Sequence, residues 1–394
     1  MKKLAVLVDT FPRWSERFIA RELAELRRRG VDLTVFCLKE GTLPAPDSDW
    51  AGLLECRRVL PAWHNPRVIF NALMGVTELG DAPRRRRFSD ALSAGPINLI
   101  RLCPAHLLEK ILIRENFEHV HGHFANLPSS LAWAAAVGAS LPLTISVHAR
   151  DLFVEPQLLK QKLAASTRIF TCHAHAQSHL TARAGEHASK VQLMHHGLPL
   201  DQYPFTTHER TAAAPLKLLC AGRLVEKKGI LTLLEALKRP GLAALPLIVT
   251  IAGDGPQRET LNLFIDANGL TNRVGISLPL AGANLQSQLT SADVLIAPFR
   301  EAADGDIDGV PNIVLEAFAL GLPVIGTQAG GLGEVLSPET GTVVPFNDPQ
   351  ALASAIAAFA TDRDVAKKTI AARELIEKNY DIRKNIEPLA KLLE

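Results

Sequence analysis

Two cations five residues apart, Arg223 and Lys228, follow an apolar run in the segment LKLLCAGRLVEKKGI. Gly222 permits a tight exit from that run. A guanidinium offers a planar fork for phosphate oxygens and an ammonium adds a mobile point charge, so the pair suits an anionic ligand. On spacing alone, a solvated basic loop is the stronger reading. A second segment, IAGDGPQRE, brackets Asp254 with Gly253 and Gly255, which lets the backbone approach a ligand closely, and Pro256 is placed to open a helix. Glycine is common in such turns for other reasons, so this signal is weak by itself.

The most informative stretch is APFREAADGDIDGVPNIVLEAFALGLPVIGT. An apolar strand ends at Pro298, an acidic loop follows, and Pro311 starts a helix that runs to about Gly321. The N–H groups around Gly309, Val310, Pro311, Asn312 and Ile313 would then point out of a helix N-terminus, a ready site for a diphosphate. Asn312 and Glu316 are four apart and share a helix face. Glu316 interrupts an apolar run, and a carboxylate so placed needs a partner such as a ribose diol. Two other readings rank lower. Asp304, Asp306 and Asp308 have the spacing of calcium ligands, but the bidentate acid would fall on Leu315 rather than Glu316, and Pro311 sits inside the loop. Asp304 and Asp306 also form an Asp-x-Asp pair of the metal-binding kind.

In the first half, SVHARD places His148 just past an apolar run with Asp151 three residues on, and HGHFA adds His121 and His123. Such a histidine can bond a sugar hydroxyl or move a proton near neutrality. For His121 a satisfied core position is the preferred reading. The other histidines, His173, His175, His179, His187, His195 and His196, lack a metal spacing.

The elements that would carry these residues alternate along the chain. LAVLV, VDLTVF, HVHGHF, LTISV and RIFTC read as strands in the first half, and ERFIARELAELRRRG as a helix stopped by Gly30. In the second half LKLLCAG, PLIVTIAG, DVLIAP, PVIGT and TVVP are near-continuous apolar runs closed by Gly or Pro, as in parallel strands buried on both faces. Two α/β units with ligands at strand carboxyl ends follow. The 394 residues, 47% hydrophobic and 21% charged, suit two domains, and a net charge of +2 excludes a strong field for nucleic acid. The five cysteines are scattered without a C-x-x-C, which favours a reducing, cytoplasmic setting over a disulfide framework. The N-terminal apolar run is too short for a signal peptide, and residues 131–147, broken by Gly138 and Pro142, read as a helix running into a strand. A domain boundary is expected within residues 197–215, giving domains of 1–200 and 201–375 and a terminal helix over 376–394.

Taken together the blocks resemble a family-four, retaining GT-B glycosyltransferase of the polysaccharide and lipopolysaccharide type. GRLVEKKG resembles that family's phosphate-binding segment, IAGDGP its second glycine turn, and DGVPNIVLEAFALGLPVIGT its signature of two acids separated by seven residues. FPRWSERFIARE, HGHFA and SVHARD resemble further family blocks. The resemblance implies a GT-B fold, two Rossmann-like domains facing across a cleft, with the terminal helix crossing back to the first. It assigns Arg223 and Lys228 to the leaving diphosphate, Glu316 to the ribose, Asp308 to the transferred sugar, His148 to the sugar near the reacting carbon, and Ser15 and Glu16 to the acceptor or diphosphate side, where His123 and Asp151 also fall. Asp308 stands where glutamate is usual and is one methylene shorter.

The implied reaction moves a hexosyl group from a sugar nucleotide to a glycan or lipid-linked acceptor, with retention and no required cofactor or metal. A non-catalytic GT-B subunit is the alternative, and an NAD-dependent Rossmann enzyme is disfavoured because residues 4–8 lead into DTFPRWSE rather than G-x-G-x-x-G. The four arginines Arg84, Arg85, Arg86 and Arg87, near Val68, Ile69, Phe70, Leu73 and Met74, are by default a solvated face. Their sharper reading is contact with anionic membrane, which would make the protein peripheral at its inner face.

Overall fold

The computed structural model describes residues 1–43, 50–62, 65–66, 102–148, 150–153, 157–207, 214–362 and 364–394. The arginine run and its apolar neighbours lie outside the described residues. The chain divides into two compact units.

The first unit runs β1 (Leu4–Phe11), α1 (Arg17–Arg28), β2 (Leu33–Glu40), β3 (Arg57–Val59), α2 (Cys103–Arg114), β4 (His119–His123), α3 (Leu127–Ala139), β5 (Leu143–Val147), α4 (Arg150–Phe153), α5 (Leu159–Ala165), β6 (Arg168–Thr171), α6 (Ala174–Ala184) and β7 (Val191–Leu193). Its seven parallel strands lie in the order β3-β2-β1-β4-β5-β6-β7, with Leu4 opposite both Leu33 and His119. The expected first helix forms because Phe18, Ile19, Leu23 and Leu26 bury one side of it. It stops where Gly30 takes φ 87°, which lets the Gly30 and Val31 N–H groups bond back to Arg27 and Leu26.

The second unit runs β8 (Leu216–Ala221), α7 (Ile230–Leu237), β9 (Leu247–Ala252), α8 (Arg258–Ala267), β10 (Val274–Ser277), α9 (Gly282–Ser291), β11 (Val294–Ala297), α10 (Asn312–Leu320), β12 (Val324–Gly326), β13 (Thr342–Val343), α11 (Pro349–Phe359) and α12 (Val365–Asn379). The six strands are parallel, in the order β10-β9-β8-β11-β12-β13. Along β8, Leu216, Leu218 and Cys220 join one core layer while Leu219 and Ala221 join the other. That two-sided burial is why the strand reads as an unbroken apolar run. Each buried leucine contributes about 1.5–3 kcal/mol of transfer free energy.

The division departs from the boundaries expected from sequence. The first unit ends at His195, not at 200, and the return segment begins at Ile386, not at 376. Helix α12 stays with the second unit because Ala372 and Ile376, together with Tyr380 just past its end, enter the core beside α10. Leu198 and Asp381 then bridge in parallel fashion, so residues on both sides of the expected cut pair with each other. In the first unit, Lys2 N–H donates to Leu393 O at 2.7 Å and its ammonium to Leu392 O at 2.7 Å. The short strands β3, β7 and β10 are additions to the expected set. No helix among the described residues is long and apolar enough to cross a membrane.

Candidate functional site

In the second sheet the strand order reverses between β8 and β11, so loops leaving those two carboxyl ends diverge and open a crevice. The loop after β8 turns at Gly222, φ 148°, where an added Cβ would lie 3.3 Å from Lys228 Cε. The missing side chain is what leaves room for the lysine stem. At Gly229, φ 61°, a Cβ would fall 1.8 Å from Pro298 O, so this loop can rest on the end of β11 only as glycine.

Four charged side chains meet where the two loops touch. Lys228 Nζ is 2.8 Å from Asp308 Oδ2 and stands 4.1 Å over the Phe299 ring centroid. Lys227 Nζ is 3.1 Å from Asp308 Oδ1 and 2.9 Å from Asp306 Oδ1. Burial pushes the Asp308 carboxyl up, but Lys228 and then Lys227 outweigh it and hold it at about 2. The backbone is tied as well. The Arg300 N–H donates to Lys227 O at 2.9 Å, and its guanidinium reaches Glu226 at 3.0 Å. Behind Asp308, its carbonyl accepts the Gly331 N–H at 3.1 Å, and a Cβ on Gly330 would lie 2.2 Å from that oxygen.

Pro311 is the residue before α10 rather than its first member, with extended ψ 123°, and its carbonyl accepts the N–H of Val314 and of Leu315. The first-turn N–H groups, those of Asn312 and Ile313, have no intrahelical acceptor. Gly309 packs against Gly331, and Val310 is buried. Glu316, one turn on from Asn312, is buried. Arg223, on the loop that leaves β8, is exposed.

The remaining residues of the sequence reading are placed differently from their expected surroundings. Gly253 and Gly255 bring two loops together: their Cβ atoms would meet Gly222 O at 1.9 Å and Leu224 O at 2.6 Å. Leu224 N–H donates to Asp254 O, while the Asp254 side chain is largely exposed, 3.7 Å from Arg258. Helix α8 begins at Arg258, two residues after Pro256, because Pro256 and Gln257 form a turn. The acidic loop does not present three open carboxylates. Asp304 Oδ1 accepts the Asp306 N–H at 3.0 Å, and ammonium groups occupy Asp306 and Asp308. Sequence reasoning missed Lys227, Asp306 as its partner, Phe299, and the Gly330–Gly331 pair. The doubled lysine and doubled glycine were visible, but nothing local says which lysine turns inward.

In the first sheet the order reverses between β1 and β4. From β1 the chain passes through a turn at Trp14–Glu16 that carries Ser15, half-buried, and Glu16, which Arg13 contacts at 3.0 Å. From β4 come buried His123 and then Phe124, in left-handed conformation at φ 68°. From β5 comes buried His148. Its ring lies 4.5 Å from Phe124, 4.9 Å from Phe18, and is stacked at 5.8 Å on His123, whose Nε2 is 3.9 Å from Glu22. His121 is the satisfied core histidine expected, 2.8 Å from Thr144 Oγ1 and 3.2 Å from Ser146 Oγ.

Asp151 is turned inward. Its carboxylate accepts the His148 N–H at 3.1 Å and the Ala125 N–H, and burial pushes it up to about 6 despite those donors. Lys162, also buried, donates to Ala125 O at 2.8 Å and Asn126 O at 2.9 Å, and burial drives its pKa well down. The pair thus clamps the Ala125 peptide from both sides and sets the loop that carries Phe124. That makes Asp151 a support for His148 rather than a group presented outward.

Known proteins give the same picture for both halves. The family described as Glycosyltransferase Family 4 matches residues 15–202, and the one described as Glycosyl transferases group 1 matches residues 208–376. A protein of Escherichia coli strain K12 named as the colanic acid biosynthesis glycosyltransferase WcaL is 32% identical over 189 residues, 47% of this chain and 46% of its own. The amylovoran biosynthesis glycosyltransferase AmsK of Erwinia amylovora is 28% identical over 253 residues, 63% of this chain and 61% of its own. The chain thus spans about half to three fifths of the length of these curated relatives. Among solved structures, HepE of Anabaena in complex with UDP superposes with a TM-score of 0.71 at 15% identity, covering 100% of this chain and 99% of that one. The lipopolysaccharide biosynthesis glycosyltransferase WaaG gives 0.62 at 15% identity over 99% of each. At such identity these structures speak to the fold, and the two family matches speak to descent: the chain belongs to the family-four glycosyltransferases of GT-B fold.

Proposed function

We propose that this protein transfers a hexosyl group from a nucleoside diphosphate sugar to a hydroxyl of a glycan or lipid-linked saccharide, with retention, in cell-surface polysaccharide biosynthesis. One observation carries the reading. Two lysines, Asp308 and a helix N-terminus converge at the switch point of the second sheet, with Arg223 on the same loop as the lysines, where an α/β sheet takes its ligand. Relatives named for colanic acid and amylovoran biosynthesis support the polysaccharide setting, and a like fold holding UDP in HepE supports the nucleotide.

In this reading the bond between the sugar's anomeric carbon and the diphosphate oxygen breaks as the acceptor oxygen bonds to that carbon. The acceptor's proton passes to the departing diphosphate. Arg223, Lys228 and the first turn of α10 stabilise the charge that develops there, each fixed donor being worth about 2.7–4 kcal/mol. Glu316 accepts from the ribose hydroxyls, Asp308 from the sugar's, and His148 is the first unit's candidate for contact with the transferred sugar. The chemistry asks for no metal, because cationic side chains already sit at the acidic loop.

Titration calorimetry with UDP, GDP and ADP sugars tests the reading, followed by a donor-hydrolysis assay. The wild type should bind at least one donor and hydrolyse it slowly, and replacing Arg223 or Lys228 by Ala should cut turnover by at least about a hundredfold. Failure to bind any of them, or binding that survives both substitutions intact, refutes it.

A further inference from the structure

Asp308 is held by two lysines that differ in how firmly they are themselves held. Lys227 is buried and lies between two carboxylates, Asp306 at 2.9 Å and Asp308 at 3.1 Å, and Asp306 is buried with it. Its own carbonyl is bound by Arg300 N–H at 2.9 Å. Lys228 is paired with one carboxylate, stands over the ring of buried Phe299, and has the space of Gly222 beside its stem. The two oxygens of Asp308 are divided between them, Oδ1 to Lys227 and Oδ2 to Lys228.

A diphosphate arriving at this crevice competes with Asp308 for Lys228. It would also repel Asp308, because two anions in a partly desolvated site disfavour each other. Unless something retains it, the aspartate swings away with or from the ligand. A side chain one methylene shorter than glutamate has little reach to recover.

We infer that Lys227 is a positioning residue: it keeps Asp308 in place while Lys228 exchanges that carboxylate for the donor's diphosphate. Oδ2 is then released to accept the hydroxyls of the transferred sugar, and Oδ1 stays on Lys227. Asp306 completes the arrangement by fixing Lys227 from the far side. The inference rests on the donor reading proposed above, and it assigns to Lys227 no contact with the nucleotide.

The experiment separates the nucleotide from the sugar. Calorimetry is run with UDP, GDP and ADP and with their hexose conjugates, and donor turnover is measured, for the wild type, Lys227→Met, Lys227→Arg and the double variant Lys227→Met/Asp306→Asn. In Lys227→Met the free diphosphates should bind within about twofold of wild type. The additional affinity given by the sugar should vanish and kcat should fall about a hundredfold, as expected for loss of positioning. Lys227→Arg should recover most of both. Should the single variant fail to fold, the double variant, which leaves no buried carboxylate at 306, gives the same readout. Unchanged kcat and sugar affinity, equal loss of free diphosphate binding, or loss of fold in the double variant as well would each overturn the inference. A wild type that binds no conjugate sinks the donor reading and this one with it, whereas a competent wild type with indifferent variants sinks this one alone.

Discussion

Acid should unfold the second unit in a way that traces to one carboxyl. Asp308 has an ordinary value of 3.8 and is held down at about 2 by Lys228 and Lys227. A carboxyl depressed by folding adds stability while it is ionised. Its contribution is complete above the unfolded value, near 4, and is lost as pH falls through the folded value of about 2, below which both states are protonated. At about 1.36 kcal/mol per pKa unit the full loss is on the order of 2 kcal/mol. Urea unfolding at several pH values between 5 and 2.5, for wild type and Asp308→Asn, measures it as a difference that cancels the other acids. The chain supplies its own reporters. Trp14, Trp50, Trp63 and Trp133 all lie in the first half of the sequence, and the two tyrosines, Tyr203 and Tyr380, both fall in the second unit. Over this range, which covers about two thirds of the full effect, the wild type should lose about 1–2 kcal/mol more than the variant in the tyrosine near-ultraviolet signal and nothing extra in tryptophan fluorescence. Parallel curves, or a difference confined to tryptophan, would show that Asp308 is not doubly paired. The same depression keeps Asp308 ionised down to about pH 3, so any acid limb of activity above pH 4 should survive in the pH profile of an Asp308→Glu variant.

Three further outcomes are expected. Gly229→Ala must bear a left-handed conformation, costing about 1–2 kcal/mol, and a Cβ 1.8 Å from Pro298 O, so the tyrosine-monitored transition should lose more than about 2 kcal/mol; an unshifted transition means that the two loops can part freely. Lys162→Met strips the Ala125 and Asn126 carbonyls of their donor and should cost about 3 kcal/mol in the tryptophan-monitored transition, while a loss under about 1 kcal/mol would mean that water replaces the ammonium. Donor turnover should be unaffected by EDTA; activity abolished by chelation and restored by magnesium would move Asp304 and Asp306 into a metal site.

The sheets were legible because their strands obey one rule throughout. Residues buried on both faces leave no polar alternation, so LKLLCA and LIVTIA stand out against helical periods and glycine stops. Strands that break the rule were not found. Arg57–Val59 sits at a sheet edge with Val59 largely exposed, and Val274–Ser277 carries a glycine and an exposed flank. The expected cut at residue 376 erred for a related reason. Helix period alone does not say which core a helix enters, and Ile376 and Tyr380 enter that of the second unit.

The site was legible to the extent that its parts lie on a single loop. Strand end, acidic turn and helix start are contiguous from Pro298 to Glu316, and their chemistry can be read in order. What links that loop to its neighbour is not contiguous. Lys227 and Lys228 are adjacent and alike, yet one is buried between two aspartates and the other lies half-covered against a phenylalanine ring, and only the approach of Gly229 to Pro298 decides which is which. The same holds for Asp151, whose spacing to His148 suggested a partner for a ligand. Its oxygens instead accept backbone N–H groups from two loops, a role that exists only once β4 and β5 lie side by side. Spacing along the chain therefore identifies groups that can bind, while the assignment of a binding group against a supporting one is made across strands. A lysine that supports Asp308 and a lysine that leaves it can be told apart by what holds each of them, and that is a property of the folded crevice, not of the KK dipeptide.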